Sequence, residues 1–256
     1  MKLRFLGTGT SQGIPVIGCN CTVCVSADPR DNRTRTSALL ESGNTAICFD
    51  TGPDFRQQML RGRCTRLDGI VYTHQHKDHT AGLDDVRPFY FLQRNPLNIY
   101  ANEGTLTQLR ADYGYIFQEP RYPGVPELAL HPIGEDAFRI GDIEILPIPV
   151  LHYDLPVLGF RFGDMAYVTD ANEIPTASME KLRNLDVLVL NALHRTEHYS
   201  HFNLEGALKI IAELKPKRAF LTHISHLMGT HEETTAELPG GVELGSDGLE
   251  LETTDT

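Results

Sequence analysis

The chain has 256 residues, of which 41% are hydrophobic and 22% are charged, and it carries a formal net charge of −11 at pH 7. This composition is typical of a globular protein and excludes a low-complexity chain, and the length fits a single domain over residues 1–256 or two closely packed halves. The acidic balance argues against a broad basic surface for long nucleic acid, although bound divalent ions would make one pocket positive enough for a small phosphate ester.

The N-terminal residues predict neither a signal peptide nor a membrane span. A short strand at residues 3–6 follows the first two residues directly, and the chain has no run of about 18 apolar residues. We therefore expect a cytoplasmic protein that does not bind a membrane. The strand ends in a glycine-rich turn at residues 7–13, which lacks the patterns of nucleotide-binding loops and leaves contact with another ligand open.

A cysteine-rich loop at residues 17–26 follows the turn. Cys19, Cys21 and Cys24 are spaced C-x-C-x-x-C. Three thiols in one short loop favour a structural zinc site over redox chemistry, because a closed zinc site takes several sulfur ligands, and the fourth ligand must come from elsewhere. Free thiols are the alternative. The other two cysteines are scattered, which does not fit a secreted disulfide framework.

Three arginines, Arg30, Arg33 and Arg35, lie in the polar stretch after this loop. The arginine guanidinium suits bidentate phosphate binding. Arginines in a loop are more often solvated or paired with carboxylates, and we favour that interpretation here.

The next elements are a β-hairpin and a short helix. Strands at residues 36–41 and 45–49 are separated by a Ser-Gly-Asn turn, and the turn at Asp50 leads into the helix. Phe55, Met59 and Leu60 are predicted to form the apolar side of that helix.

The strongest signal in the sequence is a cluster of histidines and a carboxylate after an apolar strand at residues 69–72. His74, His76, Asp78 and His79 lie within six residues. Neutral imidazole and carboxylate are preferred ligands of zinc and similar divalent ions. The spacing and the position at the end of a strand predict a metal site rather than a solvated loop.

Further polar residues follow predicted strands later in the chain. His152 lies just after a strand at 143–150, Asp170 ends a hairpin formed by 157–162 and 165–169, and His223 follows a strand at 219–222. A helix from Leu204 to Leu214 is predicted by its apolar spacing, with Asn203 as its N-cap. The acidic residues from Glu250 onward are expected to fray.

The H-x-H-x-D-H pattern after a strand resembles the signature of the metallo-β-lactamase fold hydrolases. The C-x-C-x-x-C segment resembles that of one branch, the PhnP cyclic phosphodiesterases. This resemblance implies an α/β fold, a four-layer αβ/βα sandwich, with two divalent ions, manganese or zinc, between two sheets. It also implies one structural zinc and a homodimer.

The resemblance assigns residues to these sites. The first metal takes His74, His76 and His152, and the second takes Asp78, His79 and His223, with Asp170 bridging them. The structural zinc takes Cys19, Cys21, Cys24 and His226. Asp50 would support the metal loop by hydrogen bonding, and Asp78 and His201 are assigned as catalytic residues, His201 as a general acid or phosphate anchor.

The predicted function is a metal-dependent phosphodiesterase that hydrolyses small, cyclic phosphate esters through a hydroxide held by the two ions. A thioesterase or lactonase of the glyoxalase II kind uses a similar ligand set. A role like that of the pyrroloquinoline quinone biosynthesis protein B is another alternative, because that protein shares the cysteine motif. A tRNA-processing nuclease and a non-catalytic zinc module are less favoured, the first because no RNA-gripping arm is evident.

Overall fold

The computed structural model describes residues 1–120 and 124–252. The strands of this part, in chain order, are β1 (Lys2–Gly7), β2 (Ser37–Ser42), β3 (Thr45–Phe49), β4 (Gly69–Val71), β5 (Leu97–Ala101), β6 (Leu128–Pro132), β7 (Phe138–Ile140), β8 (Ile143–His152), β9 (Leu155–Phe162), β10 (Met165–Val168), β11 (Val187–Asn191), β12 (Arg218–Thr222), β13 (Val242–Leu244) and β14 (Glu250–Glu252). The helices are α1 (Phe55–Gly62), α2 (Lys77–Thr80), α3 (Arg87–Gln93), α4 (Glu103–Asp112), α5 (Gly114–Phe117), α6 (Thr176–Lys181), α7 (Leu204–Leu214) and α8 (His231–Glu237).

Within the described ranges, the strands form two sheets of seven. The first has the order β14-β1-β2-β3-β4-β5-β6, and the second has the order β13-β12-β11-β10-β9-β8-β7. Strands β3 to β6 are parallel to one another, as are β10 to β13. Parallel neighbours have their carboxyl ends at one edge of a sheet, so residues that follow these strands are brought together there.

Alternating side chains of each strand build separate layers. In β3, Ile47 and Phe49 enter the core between the sheets, whereas Cys48 packs on the opposite face under the helices. In β11, Val187 and Val189 face the central core, while Leu188 and Leu190 pack in the core of the second outer face. Because side chains alternate between the two faces of a strand, the protein has three apolar layers. One lies between the two sheets, and one lies between each sheet and its outer helices, which gives a four-layer sandwich.

An aromatic group holds the two sheets together. Phe49 stacks on Phe160, Phe162 and Tyr167 of the facing sheet, with ring centroids 5.4, 5.6 and 5.5 Å apart. All four side chains are fully buried. Stacked aromatic pairs add about 0.5–1.5 kcal/mol each to the energy of burial, so this group is a main contact between the sheets.

Most of the predicted elements are confirmed, including the α/β sandwich, the hairpin of β2 and β3, and the helix that Asn203 caps through its side chain. Leu60 was expected on the buried side of α1 but is 59% exposed, because α1 buries the face that carries Phe55 and Met59. The prediction of fraying from Glu250 is wrong for β14, which pairs antiparallel with β1. The remaining C-terminal positions of that prediction lie outside the described residues.

No helix among the described residues is long and apolar enough to cross a membrane.

We expect Phe49→Ala to lower the free energy of unfolding by about 3–5 kcal/mol, because it removes a ring that contacts three others and leaves a cavity between the sheets. Urea unfolding followed by circular dichroism measures this. The matched control is Phe91→Ala, whose ring is 52% exposed and whose loss should change stability by no more than about 0.5 kcal/mol. Equal effects of the two variants would contradict the assigned core.

Candidate active site

Strand ends of both sheets meet in one cleft. From the first sheet, His74 and His76 follow β4, and Asp78 and His79 lie on α2 directly after them. The second sheet contributes three residues. His152 ends β8, Asp170 lies two positions after β10, and His223 directly follows β12. The structure therefore brings together the residues that the resemblance assigned to two metals.

The first group consists of His74, His76 and His152, whose ligand atoms all lie within 4.8 Å of one another. His74 Nε2 and His76 Nδ1 are 3.0 Å apart. His152 donates from Nδ1 to the backbone carbonyl of Ser200 at 2.7 Å. That bond fixes the tautomer and leaves the Nε2 lone pair of His152 free for a metal ion.

The second group consists of Asp78, His79, Asp170 and His223, again with all ligand atoms within 4.8 Å. His79 Nε2 lies 3.3 Å from a carboxylate oxygen of each aspartate, and His223 Nε2 lies 3.0 Å from Asp170 Oδ1. Among the described residues, neither of these buried nitrogens has a hydrogen-bond partner. Buried polar atoms rarely lack a partner, so two of them facing two carboxylates fit a bound divalent cation.

Asp50 fixes this arrangement from behind. Its fully buried carboxylate accepts hydrogen bonds from the Thr73 backbone N–H at 2.9 Å, the Thr73 hydroxyl at 2.9 Å and His79 Nδ1 at 2.7 Å. Thr73 Oγ1 in turn lies 3.0 Å from His74 Nδ1 and can accept its proton. Both histidines then direct Nε2 towards the cleft, which is the supporting role predicted for Asp50.

The electrostatics of the cleft reflect this density of charge. Burial lowers the pKa of His74 well below its usual value, and the neighbouring His79 adds to the shift. Burial would also lower the pKa of His79, but Asp170, Asp78 and Asp50 together raise it well above the usual value. An excess of carboxylates around one imidazole is the environment that a divalent cation would balance.

Several residues around the cleft have left-handed backbone conformations. Asp50, Tyr153, Asp170 and His223 have φ values of 61°, 56°, 54° and 56°. Such conformations cost a side-chain-bearing residue about 1–3 kcal/mol and concentrate at functional sites. Each of these residues follows a strand, so the strained turn directs its side chain out of the sheet.

His201 lies against the shared carboxylate. Its Nε2 is 3.0 Å from Asp170 Oδ1, and its Nδ1 is 3.0 Å from Ser200 Oγ and 3.3 Å from His198 Nδ1. Burial, partly opposed by the Asp170 hydrogen bond, lowers the pKa of His201 to about 4. His201 therefore lies at the edge of the cleft and is a neutral imidazole near pH 7.

The cleft contains a cavity of about 280 Å³, whose wall includes Thr10 and Ser11 of the glycine-rich turn. That turn therefore lies beside the candidate site. His198 and Tyr199 also line this cavity, although sequence reasoning left His198 without a role and did not single out Tyr199. Their only signal in the sequence was their closeness to His201.

The cysteine loop forms a second, separate cluster. The Sγ atoms of Cys19, Cys21 and Cys24 lie 3.4, 3.4 and 3.5 Å from His226 Nδ1. Two ligands of one tetrahedral zinc, with Zn–S near 2.3 Å and Zn–N near 2.0–2.1 Å, are about 3.5 Å apart. The four residues therefore fit a closed zinc site. The Cys24 backbone and His226 lower the pKa of Cys21 to about 6, which favours the thiolate that zinc binds.

The three arginines after this loop are paired with other groups of the protein. Arg30 binds Asp28, and Arg35 binds Asp54. Arg33 is buried and hydrogen-bonds to Thr8 and the carbonyl of Gly245. The expectation of solvated arginines or carboxylate pairs is confirmed for Arg30 and Arg35 and is wrong for Arg33, whose guanidinium is buried among hydroxyl and carbonyl acceptors.

Comparison with known proteins places these features in context. Residues 45–224 match the family model of the beta-lactamase superfamily domain. The chain is 38% identical over 253 residues to an octanoyltransferase from Porphyromonas gingivalis (strain ATCC BAA-308 / W83), a match that covers 98% of this chain and 51% of that protein. The chain thus spans about half the length of that relative.

Two solved structures are also similar. A diphosphatase from the PhnP family has a TM-score of 0.93 and 42% identity, covering 99% of this chain and 98% of that one. Zinc-bound PqqB from Methylobacterium extorquens has a TM-score of 0.80 and 18% identity, covering 99% of this chain and all of that one. The second likeness shows a shared fold alone.

We expect the double variant Cys21→Ser/Cys24→Ser to contain one equivalent less of zinc than the wild type, because two of the four donors of the cluster lose their thiolate. Metal analysis of the purified protein by mass spectrometry measures this. Cys64→Ser is the control, since that thiol lies outside the cluster and donates to the carbonyl of Arg66. Unchanged zinc content in the double variant would exclude the site.

Proposed function

From the premise that this chain belongs to the beta-lactamase superfamily and resembles its PhnP branch, we propose that it is a metal-dependent phosphodiesterase of small phosphate esters, cyclic esters among them. The observation that carries the proposal is the pair of adjacent ligand groups that meet at Asp170. In the proposed reaction, water adds to phosphorus, one P–O bond breaks, and the leaving oxygen takes up a proton.

In this proposal, His74, His76 and His152 would hold one divalent ion, Asp78, His79 and His223 would hold the other, and Asp170 would serve both. Manganese and zinc both suit this nitrogen and oxygen donor set. When bound, such a pair supplies a water of lowered pKa and positive charge for the phosphoryl oxygens.

The protein's own residues surround and orient the substrate. The cavity of about 280 Å³ has room for a small ester, and Thr10 and Ser11 are part of its wall. His201 lines the same cavity, and Asp170 orients its Nε2. We assign Nε2 of the neutral His201 to donate a hydrogen bond to the phosphate or to the leaving oxygen.

The thioesterase alternative uses a similar ligand set, so the cleft alone does not separate the two activities. The thiolate cluster favours the phosphodiesterase, because Cys19, Cys21, Cys24 and His226 match the PhnP branch, and because the similar diphosphatase belongs to that family. A PqqB-like role is less favoured, because the complete set of seven His and Asp ligands suits hydrolysis by two ions.

The proposal predicts that protein stripped of metal by a chelator is inactive, and that manganese or zinc restores hydrolysis of bis(p-nitrophenyl) phosphate and of a 2′,3′-cyclic nucleotide. A thioester assayed in parallel should remain intact. Release of p-nitrophenolate, nucleotide chromatography and a thiol assay measure the three reactions. Turnover of the thioester alone would contradict the phosphodiesterase proposal and support the thioesterase alternative.

We also expect His201→Ala to lose phosphodiester turnover by about 10²- to 10³-fold, the range typical of the loss of one positioned hydrogen-bond donor, while it keeps its metal content. His131→Ala is the matched control, because His131 stacks on Tyr100 and bonds to Asn98 away from the cleft. Steady-state kinetics with metal analysis of both variants tests this. Wild-type turnover in His201→Ala would remove His201 from the mechanism.

A further inference from the structure

A second cavity opens beside the candidate metal cleft. It has a volume of 430 Å³, and its walls share His76, His152, Tyr199 and Ser200 with the first cavity. The shared residues make the two cavities neighbouring compartments of one cleft. An ester whose phosphoryl group reaches the histidines of the first compartment can therefore place one substituent in the second.

Two exposed tyrosines stand at the second compartment. Tyr153 is 57% exposed and Tyr199 is 71% exposed, and their rings meet edge to face with centroids 5.7 Å apart. They come from distant segments, the turn between β8 and β9 and the loop before α7. Large aromatic rings exposed side by side at a cleft, rather than singly, are typical of a ligand site.

Both tyrosines are held in place by the surrounding protein. Tyr199 stacks on His198 with ring centroids 4.5 Å apart. Tyr153 has a left-handed backbone, with φ of 56°, and its backbone N–H donates to Asn172 Oδ1 at 2.6 Å. A bulky residue in this conformation is strained, and glycine or asparagine would adopt it more easily. Strained residues concentrate at functional sites, so a tyrosine at this position is consistent with a role in binding a ligand.

The rest of the compartment suits a flat uncharged group. Leu155 adds an apolar wall, and Asp154 adds a carboxylate. A carboxylate repels a further phosphate, but it can accept a hydrogen bond from an amino group. A nucleobase combines an aromatic face with such amino groups, and every base can stack on an aromatic side chain.

We propose that Tyr153 and Tyr199 form a stacking subsite for the nucleobase of a nucleotide-type phosphodiester. The phosphoryl group lies in the first compartment and the base lies in the second, against the exposed surface of the two touching tyrosine rings. This inference rests on the proposed function, because it names the substrate class of the same site.

A single-tryptophan variant tests binding without any turnover. The chain contains no tryptophan, so Tyr199→Trp places the only one at the subsite and keeps an aromatic face there. Adenosine 5′-monophosphate should quench its fluorescence in a saturable way, whereas ribose 5-phosphate should not. Equal quenching by both compounds, or none by either, would overturn the subsite.

Kinetics then separate the subsite from the chemistry. For adenosine 2′,3′-cyclic phosphate, Tyr199→Ala should raise KM about tenfold with little change in kcat, and Tyr199→Phe should behave as the wild type. For glycerol 1,2-cyclic phosphate, which has no base, the rise of KM in Tyr199→Ala should be clearly smaller than the rise for the nucleotide. Tyr115→Ala, at another exposed tyrosine, is the control.

The two hypotheses fail in different ways. Hydrolysis of both cyclic esters with KM unchanged in Tyr199→Ala would overturn the subsite and leave the phosphodiesterase standing. Base-dependent quenching in a protein that hydrolyses neither ester would support the subsite and overturn the proposed reaction. An equal rise of KM for both esters would show that Tyr199 acts on the cleft in general, which contradicts recognition of a base.

Discussion

The buried carboxylate of Asp50 is the contact on which the candidate site depends. It lies at the end of β3, where it accepts hydrogen bonds from the backbone and side chain of Thr73 and from His79. A buried charge is stable only when its hydrogen bonds are satisfied, and removal of one partner is costly. Asp50 thereby ties the loop after β4 to the neighbouring strand and sets which nitrogen of His79 faces the cleft.

The core and the cleft are coupled through the same strand. Phe49, the residue before Asp50, packs against three rings of the facing sheet. The sheet-to-sheet contact therefore fixes the distance at which His74 and Asp78 of the first sheet meet His152, Asp170 and His223 of the second. Left-handed turns at the strand ends are strained, and the stability of this core offsets that strain.

The cysteine cluster lies beside the loop that follows β12 and carries His223. His226 follows His223 by three residues, and its Nδ1 meets three cysteines from a loop about two hundred positions earlier in the chain. The loop after β12 is thus anchored at both ends, by the cleft at His223 and by the cysteines at His226. A structural ion in the cluster would stabilise the wall of the cleft without taking part in the reaction.

The sequence alone determined the parts of this protein that depend on neighbours along the chain. Apolar runs predicted most of the central strands, Asn203 predicted the start of α7, and the two short motifs indicated the fold family and the ligands that lie close together in the chain. The distant members of both groups were assigned only through the family resemblance. The tertiary structure decided what depends on distant pairs: the pairing of β14 with β1, the exposure of Leu60, and the meeting of Tyr153 with Tyr199. The physical reason is that periodicity and capping are local properties of a few residues, whereas a contact between segments far apart in the chain exists only after two sheets have packed and fixed which side chains face each other.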